Sequence, residues 1–408
     1  MTAKVQREWR RALLYLGGLM GPLGTFVLLP MFPELRSTYG VTTAQLGWAL
    51  WCYLLPFSGF LLVSGTLGDR WGRSRVLRLA IALYAAATAG CALAPSYAVF
   101  LSARVAQGAL NAFITPLLLA TLTDAAPASG IGRIVGRYSA GQALGQLGAP
   151  LLGGLSADVN WRLGFVATAV IGAVIAALLP SIADARSGAS GGAPGGTSVG
   201  ASAPDRTQGA VRQLRSLLRR PMLLLAATTL LSAFGPVGVV VLVGLSSRDV
   251  IGLSGLGAGL LLLGGAAAGM AAAPMWGVVL DRWGGRNAAA AAVAASSALV
   301  VMLPAARSAW MLAVVWCLAG AAAQMVVVSL QSLASVAAPQ NRAGALSFTL
   351  SHRFAGHAVG SVVWLPVFAF SPTAAYLASA AVGVLALGTV AASGLDTVVR
   401  SVANDTPS

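Results

Sequence analysis

The chain has 408 residues, of which 57% are hydrophobic and 9% are charged, and its formal net charge is +15. Soluble domains carry about 25% charged residues, so this composition excludes an ordinary soluble protein. The apolar residues form continuous runs of about 20, which is the length of a membrane-spanning helix, and they do not alternate as barrel strands do. The sequence therefore predicts an all-α integral membrane protein embedded in a lipid bilayer.

Twelve apolar runs follow one another along the chain. We predict transmembrane helices 1 to 12 at 12–34, 43–64, 76–94, 97–121, 133–156, 161–182, 221–244, 254–276, 287–305, 308–334, 343–369 and 373–393. The first run is longer than a signal-peptide core and has no clear cleavage site, so we expect it to be retained.

The basic residues indicate the orientation in the membrane. With the N-terminus in the cytoplasm, 20 of the 26 Lys and Arg fall in cytoplasmic segments and four in outer loops. By the positive-inside rule both termini are then cytoplasmic and the protein lies in the inner membrane of the cell. Because these charges lie between apolar runs, they indicate membrane topology and not a nucleic-acid partner.

Residues 184–216 interrupt the apolar pattern with a Gly-, Ser- and Ala-rich composition typical of a flexible linker. We therefore predict a six-helix N-terminal domain at 1–183, a cytoplasmic linker at 184–216, and a six-helix C-terminal domain with a short tail at 217–408.

A charged, glycine-rich stretch occurs twice. Gly65-Thr-Leu-Gly-Asp-Arg-Trp-Gly-Arg-Ser-Arg75 follows predicted helix 2, and Gly277-Val-Val-Leu-Asp-Arg-Trp-Gly-Gly-Arg286 follows predicted helix 8. Gly-x-x-x-Asp-Arg-Trp-Gly is identical in both, and its glycines permit a tight turn. A loop repeated about half a chain length apart predicts two related halves.

Two six-helix halves, a central linker and this loop resemble the major facilitator superfamily over nearly the whole chain. The resemblance implies twelve transmembrane helices in two pseudo-symmetric six-helix bundles. It also implies that the loop latches the halves together in the outward-facing state; a solvated loop that only sets topology is the alternative. The latch residues would be Gly65, Asp69, Arg70, Gly72 and Arg73, with Asp281 and Arg282 in the second copy. That copy is expected to be weaker, because Gly285 replaces the arginine at the position of Arg73.

Predicted helix 4 carries polar residues on one face: Arg104, Gln107 and Asn111 follow helical spacing. An arginine inside a membrane helix costs several kcal/mol unless it meets water or a partner, so we expect this face to line a cavity. Snorkelling of the arginine to the interface is the alternative. The Arg-x-x-Gln-Gly pattern here resembles one in the superfamily, which implies a role in proton transfer.

Predicted helix 5 reads Gly145-Gln-Leu-Gly-Ala-Pro150-Leu-Leu-Gly153-Gly154. It resembles the Gly-x-x-x-Gly-Pro-x-x-Gly-Gly motif of drug–proton antiporters, with Ala149 replacing one glycine. Small residues let a partner helix approach and Pro150 can kink the helix, although ordinary packing is the alternative. Three polar residues beside this face are expected to line the cavity: Tyr138, Gln142 and Gln146.

Predicted helices 10 and 11 add further polar candidates. Arg353 lies about ten residues into helix 11, where snorkelling is difficult. His357 is one turn further on, and histidine titrates near neutral pH, although a packing role is the alternative. Gln324 on helix 10 completes the predicted cavity or coupling residues. None of the eleven carboxylates lies in the middle of a helix, so the cavity should be positive and favour neutral, zwitterionic or anionic substrates.

We expect a monomeric exporter of small organic molecules that uses proton antiport and alternating access, without a cofactor. The alternative within the same fold is a transporter of an endogenous anionic or neutral metabolite, with import as one of its directions. An intramembrane enzyme would need a hydrolytic or metal constellation, which two histidines on one helix and no buried acid do not provide. A receptor or scaffold with this fold would show no solute flux.

Overall fold

The computed structural model describes residues 12–124, 131–179, 217–338 and 341–393, and every regular element in these ranges is helical. Twelve helical passes follow one another: α1 Ala12–Tyr39, α2 Thr43–Leu61, α3 Arg73–Leu93, α4 Tyr97–Asp124, α5 Ile131–Val159, α6 Arg162–Leu178, α7 Arg220–Phe234 with its continuation Val240–Leu245, α8 255–283, α9 285–302, α10 Ala309–Ala337, α11 Arg342–Phe370 and α12 Pro372–Ala392. The prediction of an all-α, twelve-helix architecture is confirmed. The predicted linker 184–216 lies outside the described residues.

Seven of the described helical segments are long and apolar enough to cross a membrane. The segment from Gly255 to Ala305 has 51 residues. At 1.5 Å per residue it would be about 77 Å long, more than twice the ~30 Å hydrocarbon thickness of a bilayer. It divides at Gly284, where φ is 75° and ψ is 153°. Only glycine adopts such a conformation readily, so this residue separates α8 from α9.

The repeated stretch contains more helix than expected. Residues Ser64–Trp71 form a short helix, and the tight turn expected over the whole loop is confined to Gly72, where φ is 89°. The stretch 64–71 contains no proline, and Gly68 packs against Leu117 of α4. Gly284 occupies the position equivalent to Gly72 in the second copy and also has positive φ. The two copies therefore share a backbone conformation as well as a sequence.

The two halves of the chain meet along two helix pairs, α2 with α11 and α5 with α8. In the second pair, a methyl group added at Gly259 would lie 2.5 Å from the carbonyl oxygen of Pro150, so the backbones are in close contact.

We call the membrane end that carries Gly72 and Gly284 the basic end. We call the opposite end, which carries Glu34 and Arg248, the ion-pair end.

Candidate functional site

A cavity of about 390 Å³, including the space at its mouth, lies between the two halves. Its walls come from the middle portions of α1, α2, α7 and α11. We call it the central cavity, and its lining is Thr25, Phe26, Leu29, Leu50, Leu54, Gly238, Val240, Val241, Phe354, His357 and Ser361. Most of these side chains are apolar. A ligand here would be held mainly by apolar contact, while a few polar groups set its orientation.

Three polar side chains line the central cavity. The hydroxyl of Thr25 donates to a carbonyl of its own helix at 3.0 Å. Ser361 donates to its own helix at 2.8 Å and to the carbonyl of Gly47 on α2 at 3.1 Å. His357 makes no hydrogen bond with another described residue, so its ring nitrogens are available to a ligand.

A second cavity, of about 350 Å³ with its mouth, lies within the second half between α7, α10 and α11. We call it the lateral cavity, and its lining is Thr229, Ser232, Ala233, Val237, Val326, Val327, Leu330, Gln331, Thr349, Leu350 and Arg353. Arg353 and Phe354 are neighbours on α11, and Phe354 lines the central cavity. The two cavities therefore adjoin neighbouring positions of this helix, and Arg353 of one lies one turn from His357 of the other.

The aromatic ring of Phe354 closes part of the space between the halves. It meets the ring of Phe57 from α2 edge to face, with the ring centroids 4.7 Å apart. Ser58, the residue after Phe57, and Ser351, three residues before Phe354, exchange hydrogen bonds across the same boundary. This contact joins α2 and α11 on the side of the central cavity that faces the basic end.

Arg104 is completely buried inside the first half and lines neither cavity. Its Nε donates to the carbonyl of Ala49 at 3.0 Å, and its Nη1 donates to the carbonyl of Gly24 at 2.8 Å. Nη1 also donates to Gln107 Oε1 at 2.6 Å, and the guanidinium lies 4.2 Å from the ring centroid of Tyr53. Two carbonyls, an amide and an aromatic face thus replace part of the water around this cation, while its buried Nη2 has no partner among the described residues.

The expectation that Arg104 faces a cavity is therefore not met in this conformation. The physical reason is the close approach of α1, which brings the carbonyl of Gly24 to the guanidinium. A methyl group added at Gly24 would collide with the hydroxyls of Tyr53 and Tyr84, so only glycine fits there. The arginine consequently acts as the centre of a buried polar cluster that joins α1, α2 and α4.

Gln107 and Asn111 belong to the same cluster. Gln107 donates from Nε2 to the Thr88 hydroxyl at 2.8 Å, and Asn111 donates from Nδ2 to the Tyr53 hydroxyl at 2.8 Å. Both side chains are at most 1% exposed. Arg104, Gln107 and Asn111 do share one helix face, as predicted. This face packs against α2 and α3 and lines neither of the two cavities.

Charged residues at the ion-pair end join the two halves. Arg248, beyond α7, donates from Nη2 to Glu34 of α1, and its Nη1 lies 3.9 Å from Asp158 at the end of α5. Arg36 holds Asp249 through two bonds of 2.9 and 3.2 Å. These pairs close the ion-pair end above the central cavity.

Asp158 makes a second connection between the halves. Its carboxylate accepts hydrogen bonds from the backbone N–H groups of Gly255 and Leu256 at 2.6 and 2.8 Å. These are the first residues of α8, and a carboxylate is favourable at a helix N-terminus. The sequence shows these charges at predicted helix ends, but their pairing follows from tertiary structure, so sequence reasoning missed the cluster.

This arrangement of two helical bundles around a central cavity can be compared with known proteins. The sequence profile of the Major Facilitator Superfamily matches residues 14–361. The chain belongs to the major facilitator superfamily. It is accordingly a multi-pass membrane protein of a transporter family that handles small-molecule substrates, and it is not an enzyme.

Curated relatives match part of this major facilitator chain. The uncharacterised MFS-type transporter EfpA of Mycobacterium tuberculosis is 29% identical over 171 residues, which are 41% of this chain and 32% of the relative. The drug efflux pump JefA of the same species is 34% identical over 142 residues, which are 34% of this chain and 28% of the relative. The chain thus spans about a third of the length of the curated relatives it matches.

Solved structures show the same fold over the whole chain. A bacterial homologue of the human lysosomal transporter Spinster, in an inward-facing and unoccupied conformation, superposes with a TM-score of 0.74. The two sequences are 17% identical, and the alignment covers 100% of both chains. At this identity the likeness concerns the major facilitator fold alone.

The antiporter-type motif on α5 has two packing partners in this major facilitator structure. A methyl group added at Gly145 would lie 3.0 Å from the backbone of Leu19, and one at Gly153 would meet the backbone of Val27, so both glycines face α1. Pro150 and Gly154 face the backbone of α8 in the other half. The motif therefore packs one face within its own half and the other across the boundary between the halves.

The remaining predicted cavity residues lie elsewhere in the superfamily fold. Tyr138 is 3% exposed and donates to the carbonyl of Thr115 at 3.3 Å. Gln142, Gln146 and Gln324 are half-buried and line neither of the two cavities. Arg353 and His357 are thus the two predicted residues that the structure places on cavity walls.

The predicted latch is described in part. Arg73 begins α3 and is half-buried, and Asp281 and Arg282 are exposed near the end of α8. The side chains of Gly65, Asp69 and Arg70 lie outside the described part of the structure. A latch role for these residues in the major facilitator cycle stays a prediction.

Proposed function

We propose that this chain is a secondary active transporter that exports small organic molecules by proton antiport. The central cavity is the substrate site, and the two bundles rock around it so that it opens to each side in turn. We further propose that the basic end is cytoplasmic, as the distribution of Lys and Arg favours. Both termini would then lie in the cytoplasm of a cell whose inner membrane holds the protein.

The observation that carries this proposal is a cavity bounded by both halves beneath a closed ion-pair end. Arg248 of the second half contacts Glu34 and Asp158 of the first half there. Those contacts must break if the cavity is to open at that end. If the basic end is cytoplasmic, the ion pairs close the outer side, and export would begin from a state that is closed on that side.

Export of drug-like molecules is supported by two further observations. The α5 motif resembles that of drug–proton antiporters, and its Pro150 and Gly154 lie at the boundary that must move during transport. One of the partial relatives is a drug efflux pump. The mostly apolar lining of the central cavity suits molecules with a large apolar surface.

Proton coupling requires a group that gains and loses a proton as the cavity changes sides. Of the residues that line the central cavity, His357 is the one whose type titrates near neutral pH. Arg104, which the resemblance links to proton transfer, is sealed inside the first half. We therefore propose His357 as the proton-carrying residue and Arg104 as a support for the adjoining wall.

The test is a flux assay on the purified full-length chain in proteoliposomes with an imposed pH gradient. A panel of neutral, anionic and cationic compounds is offered, and His357→Asn is compared with His352→Asn as a matched control. His352 lies on the same helix and is hydrogen-bonded at 2.8 Å to the carbonyl of Phe348, away from both cavities. We expect gradient-driven flux that His357→Asn abolishes and His352→Asn preserves.

Each step of the proposal can fail separately. The absence of flux for every compound would exclude transport and favour a receptor or scaffold. A flux whose rate does not depend on the pH gradient would exclude proton antiport. Full gradient dependence in His357→Asn would exclude the histidine as the proton carrier while leaving transport intact.

A further inference from the structure

Arg353 is a cation that lacks a partner among the described residues. It lies about midway along α11 and lines the lateral cavity. No ion pair or hydrogen bond reaches its guanidinium from the described parts of the chain, and its buried Nε has no acceptor. Its one ring contact is with the adjacent Phe354, whose centroid is 5.1 Å from the guanidinium carbon.

The comparison with Arg104 shows that this is unusual within the same protein. Both arginines lie deep in membrane helices, where an uncompensated cation is costly. Arg104 donates to the carbonyls of Ala49 and Gly24 and to Gln107, and it stacks on Tyr53. Arg353 has no such set of acceptors among the residues that the structure describes. Among the described residues, Arg104 therefore makes three hydrogen bonds and leaves its Nη2 without a partner, whereas Arg353 makes none and faces a cavity.

A second donor in the lateral cavity is also unsatisfied. Ser232 is 2% exposed, and its hydroxyl has no partner among the described residues. The other hydroxyls of the lining are satisfied, because Thr229 and Thr349 each donate to their own helix at 2.8 Å. Gln331 also lines the cavity but is exposed, so the buried unsatisfied atoms of the described lining are the guanidinium Nε of Arg353 and the hydroxyl of Ser232, which can both donate. Such a pair suits a ligand group that accepts hydrogen bonds and carries negative charge.

The rest of the lining defines the body of the ligand. Val237, Val326 and Leu330 are apolar, and the lining contains no carboxylate that could compensate the arginine or attract a cation. A single cation in an apolar cavity is complementary to one negative charge on an apolar body. Inorganic phosphate or a polyanion would leave excess charge in the membrane.

We propose that the lateral cavity binds small organic monoanions, and that Arg353 holds their carboxylate or sulfonate group with Ser232 as a second donor. This inference goes beyond the proposed transport function, since it adds an anion site in the lateral cavity to the substrate site proposed in the central cavity. The anion replaces the missing counter-charge of Arg353, so binding and neutralisation of the buried cation occur together. Organic cations are excluded by the same charge.

The experiment measures thermal unfolding of the full-length chain in lipid nanodiscs against the concentration of benzoate. Benzamide, which has the same shape without the charge, is the matched ligand control. Arg353→Gln removes the cation and Arg353→Lys keeps it. Arg342→Gln removes one charge from the exposed start of the same helix, outside the cavity, and controls for net charge.

We expect benzoate to raise the unfolding temperature of the unaltered protein saturably, and benzamide to have no such effect. Arg353→Gln should weaken the apparent affinity for benzoate about tenfold or more, whereas Arg353→Lys and Arg342→Gln should stay within about threefold. Equal stabilisation by benzamide, or unchanged benzoate affinity in Arg353→Gln, would overturn the proposal. If Arg353→Gln does not fold, the benzoate–benzamide comparison on the unaltered protein still decides.

The outcome also separates this inference from the proposed function. If the vesicles transport neutral compounds but benzoate does not stabilise the protein, the anion site is excluded and the transport function is kept. A protein that binds benzoate through Arg353 but moves no compound would retain the anion site and remove the transport function.

Discussion

Ser58 of α2 and Ser351 of α11 donate hydrogen bonds to each other's backbone carbonyls, at 2.9 and 2.7 Å, across the boundary between the two halves. The two hydroxyls are 3.2 Å apart, and both side chains are buried. A reciprocal pair of this kind lets two helices stay joined while their ends move apart. We infer that it acts as a fixed point about which the bundles rock.

The serine pair predicts a measurable coupling energy. Interhelical hydrogen bonds in membrane proteins contribute about 0.6 kcal/mol on average and up to ~1.7 kcal/mol. Ser58→Ala and Ser351→Ala should therefore each destabilise the protein, and their double variant should cost less than the sum by an amount in this range. A double-mutant cycle of unfolding in detergent measures the difference. Strict additivity would show that the two serines do not act together.

Arg104 should be required for stability more than for ligand binding. Arg104→Gln removes the guanidinium bonds to the carbonyls of Gly24 and Ala49, and a hydrogen bond to a charged group contributes about 1.5–3 kcal/mol. We expect a free energy of unfolding lower by about 2–4 kcal/mol, measured by denaturation in detergent. Arg353→Gln is the matched comparison, since it removes a cation that has no such acceptors. An equal decrease in the free energy of unfolding of both variants would show that Arg104 does not stabilise the protein more than Arg353 does.

The sequence predicts the helices well because hydrophobic length is a local property. Predicted helix 3 at 76–94 and the observed α3, Arg73–Leu93, differ by three residues at one end and one at the other. The environment of Arg104 depends on something that is not local, namely how closely α1 approaches α4. Gly24 permits that approach. The chain has 49 glycines, and the sequence alone does not show which of them contacts an arginine. Arg353 and His357, as polar residues deep in an apolar helix, are cavity-lining residues that the sequence does indicate.

The ion-pair end should control access to the central cavity from that side. Arg248→Ala removes the contacts to Glu34 and Asp158, and partly exposed ion pairs contribute up to about 1 kcal/mol. A loss of ~1 kcal/mol corresponds to about a fivefold shift toward the state open at this end. We expect an impermeant thiol reagent, added at the ion-pair end, to label Val241→Cys about fivefold faster in the Arg248→Ala background.

Two controls sharpen the labelling experiment. The native free cysteines Cys52, Cys91 and Cys317 are first replaced, so that the reporter alone reacts. Arg307→Ala removes an exposed arginine from the same end without touching the cluster, and it should leave the labelling rate unchanged. Raising the ionic strength should speed labelling of the Arg248 parent, because salt screens exposed charge pairs. Equal labelling in the Arg248→Ala and Arg307→Ala backgrounds would contradict a gate at this end.

The effect of enlarging a small residue of α5 should depend on the part of the protein that this residue faces. A methyl group added at Gly154 would overlap the carbonyl oxygen of Gly255 on α8, and both backbones would have to separate. Gly148 lies on the same helix, less than two turns away, and a methyl group there would have no described atom within 4 Å. Overpacking of a tight contact costs about 1–3 kcal/mol. We therefore expect Gly154→Ala to lower the unfolding temperature and slow flux in proteoliposomes, and Gly148→Ala to alter neither. Since the two substitutions are chemically identical, a similar effect of both would show that helix propensity or lipid contact, and not the boundary between the halves, determines the behaviour of this motif.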